Sequence, residues 1–145
     1  MNVETLRSPY IQCGGIYYFA RMLDKIRLHA AGQLPADYRE NLGVGFDERC
    51  TTFLRIDYAS LVERVKHGGT DEEVLEWVFT KGRRPTEEDI EIWNEFMRKR
   101  GWNDEATERL IMRKGESNIP NRDDIQTLFD YIDFDEGRDP KARAK

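Results

Sequence analysis

The sequence predicts a single all-α domain of six or seven helices. Three observations carry that prediction. Apolar residues recur at helical spacing in one segment after another, hydroxyl and carboxylate residues stand where helix N-termini need caps, and no segment sustains the period-two alternation of a half-buried strand.

Taken in order, the first long helix is expected to open near Gly14-Gly15 and to run to about Ala31, with Gly32 as a left-handed terminator. An irregular Gly/Pro stretch over about 33–46 follows, and a small hairpin within it is the alternative reading. Asp47 can cap a helix reaching Leu54, and Asp57 can cap another that ends before His67-Gly68-Gly69. Thr70-Asp71-Glu72-Glu73 matches a capping box ahead of Val74, Leu75, Val78 and Phe79, and Gly82 stops that helix. Thr86 caps a segment with Ile90, Trp93 and Met97 on one stripe. Asn103 starts a helix carrying Ala106, Leu110 and Ile111, and the last helix opens near Asn121 or Asp123 with Ile125, Leu128, Phe129 and Ile132. The globular unit is thus residues 1–134, with a tail over 135–145 where apolar content falls away.

Composition excludes several classes. A chain of 145 residues with 35% charged residues has no apolar run near the roughly 18 residues a membrane span needs. At this length about two thirds of the unfolded surface can be buried, so a core forms without disulfide or metal staples. Cys13 and Cys50 lie in no CxxC pair, which together with the plain N-terminus points to a reducing, soluble compartment, the cytoplasm by default. With 23 Lys+Arg against 28 Asp+Glu the net charge is -5, a field that repels nucleic acid unless a basic patch converges locally. The acid excess falls after residue 50.

One helix carries charge where simple solvation does not account for it. At 100° per residue, Phe19, Leu23, Ile26 and Ala30 form an apolar stripe, and Arg27 projects about 40° from Leu23 at its edge. Asp24 lies about 60° further round, within reach of Arg27 and Arg21. Tyr17 projects between Asp24 and Arg21, and Lys25 falls on the far side, toward water. Two readings follow. In the structural one, Arg27 lays its stem on the core and pairs with Asp24 or Asp47. In the functional one, Tyr17, Arg21, Asp24 and Arg27, with Asp47 nearby, line a wall where guanidinium forks hold a carboxylate or phosphate.

Leu6-Arg7-Ser8-Pro9, Gly14-Gly15, Arg21-Met22-Leu23-Asp24-Lys25-Ile26-Arg27, Gly32-Gln33-Leu34 and Tyr38, followed by Asp47 and Phe53-Leu54-Arg55-Ile56-Asp57, resemble a bacterial family known as domain of unknown function 5069. The likeness is clearest over residues 6–80. It implies a small, soluble, mostly helical protein and carries no activity across. Arg55 stands where the family pattern is expected to hold a small residue, usually Gly.

Other candidate chemistry is weaker. Cys13 before Gly14-Gly15 would sit at a helix N-terminus, but neither His29 nor His67 can be placed beside it as a base. The two histidines have no zinc spacing, the acidic clusters have no EF-hand pattern, and no motif for a cofactor is present. Lys81-Gly82-Arg83-Arg84 and Arg98-Lys99-Arg100 are the basic clusters; nucleic-acid binding would need them to converge with stacking aromatics. The leading hypothesis is a non-catalytic binding or interaction module, open to homodimer formation, that holds a small anionic ligand or a protein partner at its first helix. The rival is an enzyme on a small polar or anionic substrate, with Asp24 or Asp47 as general base and Arg21 or Arg27 as clamp.

Overall fold

A computed structural model describes residues 6–139. Helices dominate, in the order α1 (Phe19–Ala30), α2 (Ala36–Arg39), α3 (Phe46–Leu54), α4 (Tyr58–Lys66), α5 (Asp71–Lys81), α6 (Glu87–Lys99), α7 (Thr107–Glu116) and α8 (Leu128–Asp135). Among the described residues there are eight, and the one beyond the expected six or seven is the single turn α2 inside the Gly/Pro stretch.

The expectation of a purely helical chain needs a correction at its start. Gly14 and Gly15 do not open α1; with φ of 59° and 80° they form a two-residue turn between β1 (Gln12–Cys13) and β2 (Ile16–Tyr17). Two consecutive positive φ angles are what a type I′ hairpin turn requires, and glycine adopts them without a Cβ penalty. Cys13 pairs with Ile16 and Gln12 with Tyr17 in an antiparallel register. α1 therefore begins four residues later than predicted, at Phe19.

The capping signals set most other boundaries. Thr70 with Glu73 and Thr86 with Asp89 form reciprocal capping boxes, and Asp57 accepts the Ser60 amide. Asp47, in contrast, lies inside α3 rather than at its cap, the helix opening after Gly45. The last two helices start later than the sequence indicated. Asn103, at φ 48°, belongs to the turn before α7, and Thr127 rather than Asn121 or Asp123 caps α8 by accepting the Asp130 amide.

α1 lies at the centre of the molecule, and all its residues from Phe19 to Ile26 are buried. Phe19, Met22, Leu23 and Ile26 share one core with Cys50 and Leu54 of α3, Leu61 and Val65 of α4, Val74 and Val78 of α5, Trp93 and Met97 of α6, and Phe129 of α8. Ala106, Leu110, Ile125 and Leu128 make a smaller core between α7 and α8, with Phe46 packed against both. Burying α1 on every side removes its large side chains from water at about 25 cal/mol per Å² of apolar surface, but it also forces its charged residues inside.

Residues from 135 onward, expected to start a tail, are packed as far as Arg138. Glu136 is 3% exposed. Arg138 bonds Asp133, Glu136 and the Leu6 carbonyl. Ser8 Oγ donates to Asp133 (3.0 Å) and the Tyr10 hydroxyl to Asp130 (3.0 Å), tying the N-terminal segment to α8. Residues 140–145 of the expected tail lie outside the described residues. No helix of the described chain is long and apolar enough to cross a membrane.

Candidate functional site

Because α1 is enclosed, each charge on it must find its partner within the protein. Arg21, 4% exposed, forks onto Glu136 with Nη1–Oε1 at 2.8 Å and Nη2–Oε2 at 2.6 Å, and donates a further bond to the Arg7 carbonyl. Glu136 also accepts from Tyr38 Oη (2.8 Å) and Arg138 (2.7 Å). Burial by itself would raise the Glu136 carboxyl. The hydrogen bonds and charge of Arg21, with Arg138 and Tyr38, outweigh that and hold it below its ordinary value.

One turn on, Lys25 is also 4% exposed, not in water as its projection indicated. Its ammonium lies 2.8 Å from Asp47 Oδ1 and donates to the Tyr18 hydroxyl (3.0 Å), which in turn donates to Asp47 (2.6 Å). Asp47 Oδ2 accepts the Gly43 amide (2.9 Å). Burial pulls the Lys25 pKa down against the opposing pull of Asp47, and burial with the Asp47 charge pushes the Tyr18 phenol well up. Tyr18 holds φ 78°, a left-handed conformation that costs a bulky L-residue of order 1–3 kcal/mol. The hairpin and the Lys25–Asp47 bonds fix it there.

These two clusters form one wall of a cavity of about 460 Å³ between α1, the α2 segment, α7 and α8. Tyr18, Arg21, Lys25 and Tyr38 stand on that wall. Arg109 and Arg113, one turn apart on α7, line the cavity as well. Arg113 lies 3.6 Å from Glu116, whereas among the described residues no carboxylate stands within ion-pair distance of Arg109.

The five residues singled out from the sequence separate. Arg21 lines the cavity and Asp47 anchors Lys25 and Tyr18 beneath it. Tyr17 does not line the cavity: its ring packs edge-on against Tyr10 at 5.8 Å, while its backbone amide donates to Asn94 and its carbonyl accepts Trp93 Nε1, joining the hairpin to α6. Asp24 is closed by Arg7, whose amide, Nε and Nη2 each approach it at 2.9 Å. Arg27 pairs with neither Asp24 nor Asp47 but with Asp71 (2.6 Å), which Arg7 also meets (2.7 Å). Neither Asp24 nor Arg27 lines the cavity and both are internally paired, which leaves Asp24 no role as general base there and Arg27 none as clamp. Asp47 is fully buried and engaged on both oxygens.

Sequence reasoning missed Lys25, Tyr18, Arg109, Arg113 and Glu136. A helical projection separates one buried face from one wet face, and α1 has no wet face over its first eight residues. The signal that could have found Lys25 was the apolar density of the whole segment, Phe19-Ala20-Arg21-Met22-Leu23, which marks a central rather than an amphipathic helix.

Cys13 lies in β1, not at a helix N-terminus, and burial pushes its thiol up to about 11, away from nucleophile chemistry; burial likewise pushes Cys50 up. The basic clusters are taken up locally. Arg83 stacks over Phe53 and pairs with Asp89, Arg84 pairs with Glu76, and Arg98 and Lys99 pair with Glu95. Among the described residues no three of His, Cys, Asp or Glu are grouped so as to hold a metal ion.

No curated protein matches the chain. A family model described as "Domain of unknown function (DUF5069)" matches residues 3–138, which takes in the hairpin, all eight helices and both clusters beneath the cavity. The chain belongs to that family.

Proposed function

We propose that the protein is a binding module whose cleft between α1, α7 and α8 takes a small anionic ligand on Arg109 and Arg113. The observation that carries this is Arg109, an exposed guanidinium lining an open cleft with no carboxylate in ion-pair distance among the described residues, one helical turn from a second arginine. Arg21 and Lys25 contribute a polar wall instead of a clamp, since Glu136 and Asp47 already neutralise them. Two forks spaced by one turn suit a phosphate or carboxylate.

A thermal-shift screen of phosphorylated and carboxylated metabolites tests the reading. A ligand present at 100 times its Kd stabilises the fold by about 2.7 kcal/mol, a shift of several degrees for a chain of this size. The expected result is a concentration-dependent shift in the wild type that Arg109→Gln and Arg113→Gln both abolish. No shift with any such compound, or equal shifts in the variants, overturns it.

A second reading, an enzyme on a small polar substrate, is favoured by one observation: a buried lysine of lowered pKa and a tyrosine of strained backbone meet at the cavity wall. In this version Lys25 and Tyr18 carry the proton transfers that the sequence assigned to Asp24 or Asp47. It requires turnover of a cleft ligand that Lys25→Met abolishes while ligand binding persists. Turnover unchanged in that variant rejects it.

A further inference from the structure

Phe46 and Arg109 line the cleft and also line a second cavity of about 590 Å³, bounded by α3, α6 and α7. Its volume lies within the range of small-molecule sites. Three arginines border it, Arg49, Arg100 and Arg109, against one acid, Glu48, in a chain whose net charge is -5. Local charge thus runs opposite to the charge of the whole molecule.

The cationic groups are arranged around aromatic rings. Phe96 keeps 39% of its surface exposed, and the guanidinium carbons of Arg49 and Arg100 lie 5.2 Å and 5.6 Å from its ring centroid. Phe53 and Trp93, stacked on each other at 4.7 Å with planes 12° apart, line the same cavity. Arg100 lies 3.6 Å from Asp104. Among the described residues, Arg49 and Arg109 have no carboxylate within ion-pair distance. A guanidinium held over a ring face keeps its fork of N–H donors free at the edge. The Arg49 guanidinium plane over the partly exposed Phe96 ring, with the Arg109 fork on the same cavity, offers stacking and charge at once, a combination that a bare anion uses only in part.

We propose that this second cavity is a site for a small planar anion: a phosphate or carboxylate carried on an aromatic ring system of mononucleotide size, with the ring stacked on the Arg49 guanidinium that Phe96 backs and the anion on Arg109. The proposal shares Arg109 with the α1 cleft but does not rest on that reading, since Phe96 and Arg49, whose variants test it, border only the second cavity.

Isothermal titration of the full chain with adenosine monophosphate, 2-naphthoate, ribose 5-phosphate, inorganic phosphate and adenosine distinguishes the components. At least one ring-bearing anion should bind ten times or more tightly than both ring-free anions and than the uncharged nucleoside; which one binds identifies the source of the anion. Phe96→Leu and Arg49→Gln, both at exposed positions, should each weaken that ligand about tenfold with the thermal midpoint kept. Equal binding of ring-bearing and ring-free anions, no binding of either ring-bearing anion at millimolar concentration, or indifference to Phe96→Leu and Arg49→Gln overturns the proposal. Loss in Arg113→Gln alone assigns the ligand to the α1 cleft and overturns it equally. A short single-stranded oligonucleotide that binds where the mononucleotide does not rejects it in favour of a polymer-binding surface.

Discussion

Arg21 and Glu136 show how much can depend on one pair of side chains. Both are almost wholly enclosed, and Glu136 collects Arg21, Arg138 and Tyr38 around one carboxylate. Glu136→Gln leaves the Arg21 guanidinium buried without its counter-charge, and thermal melts should show a loss of about 3–5 kcal/mol, because an uncompensated buried ion costs far more than an exposed pair contributes. The same carboxylate sets a pH dependence, together with Asp71, which burial would raise but which Arg7 and Arg27 hold below its usual 3.8. A carboxyl with a depressed folded-state pKa contributes stability that is complete above its unfolded value and disappears as pH falls through the folded one. Calorimetry should therefore find a plateau above about pH 4.5 and a fall below it, and Glu136→Gln should flatten that fall. An unchanged slope in the variant would assign the acid sensitivity to other carboxylates. None of these pairings was legible in the sequence. Arg21 and Glu136 stand 115 positions apart, and nothing in local spacing links them. What the sequence did show was that charge on α1 needed an explanation, and that held for Arg21 even though Asp24 and Arg27 found other partners.

Among the elements, boundaries fixed by residues a few positions apart are the ones most legible in the sequence. The capping boxes at Thr70 and Thr86 are closed by residues three apart, and both helices start where the sequence places them. The hairpin at Gly14-Gly15 was equally local but was misread, since paired glycines suit a sharp helix entry as well as a type I′ turn. The flanking Tyr10-Ile11-Gln12-Cys13 and Ile16-Tyr17-Tyr18-Phe19 were the discriminating signal. At the end of α3, Arg55 takes φ 57°, ψ 43°, its amide bonding Thr52 while the Ile56 amide reaches back to Thr51, a Schellman closure. Glycine would occupy this left-handed position without the Cβ penalty, so the turn keeps the geometry that the expected small residue would adopt. Relief of a left-handed penalty of about 1–2 kcal/mol, less the roughly 0.5–1 kcal/mol of entropy glycine loses on folding, means that Arg55→Gly should raise stability by about 0.5–1 kcal/mol, and a lower thermal midpoint would contradict it. Gly82, which ends α5, meets the same turn from the other side. A Cβ there would overlap the Leu54 carbonyl oxygen and crowd that of Arg55, both backbone atoms with no rotamer to yield. Gly82→Ala should cost about 1–3 kcal/mol in denaturant melts, and a neutral result would mean that α5 can draw back from α3.

At the scale of the whole molecule, the division between core and candidate site repeats this contrast. Val74, Val78, Trp93, Met97 and Phe129 were placed on buried faces from periodicity alone, since burial of apolar surface is non-directional and needs only the right face. The cavities depend on how helices distant in sequence cross, and Arg109, Arg113 and Arg49 sit on faces that periodicity marks only as wet. Both ends of the described chain close on each other, with Leu6, Ser8 and Tyr10 held by Asp130, Asp133 and Arg138. A chain ending at Phe134 should consequently melt below Glu136→Gln, since it also forfeits the Arg138 bonds; a midpoint equal to that of the point variant would show that Arg138 contributes nothing. The clasp also sets an order of events during synthesis. While the ribosome still holds the last helix, α1 has its apolar neighbours from α3 to α6 but an unmatched guanidinium at its centre, and α8 has not yet covered it. The nascent protein must either keep that region loose or tolerate a buried ion until Glu136 emerges, so consolidation around Arg21 waits for a residue translated 115 positions later.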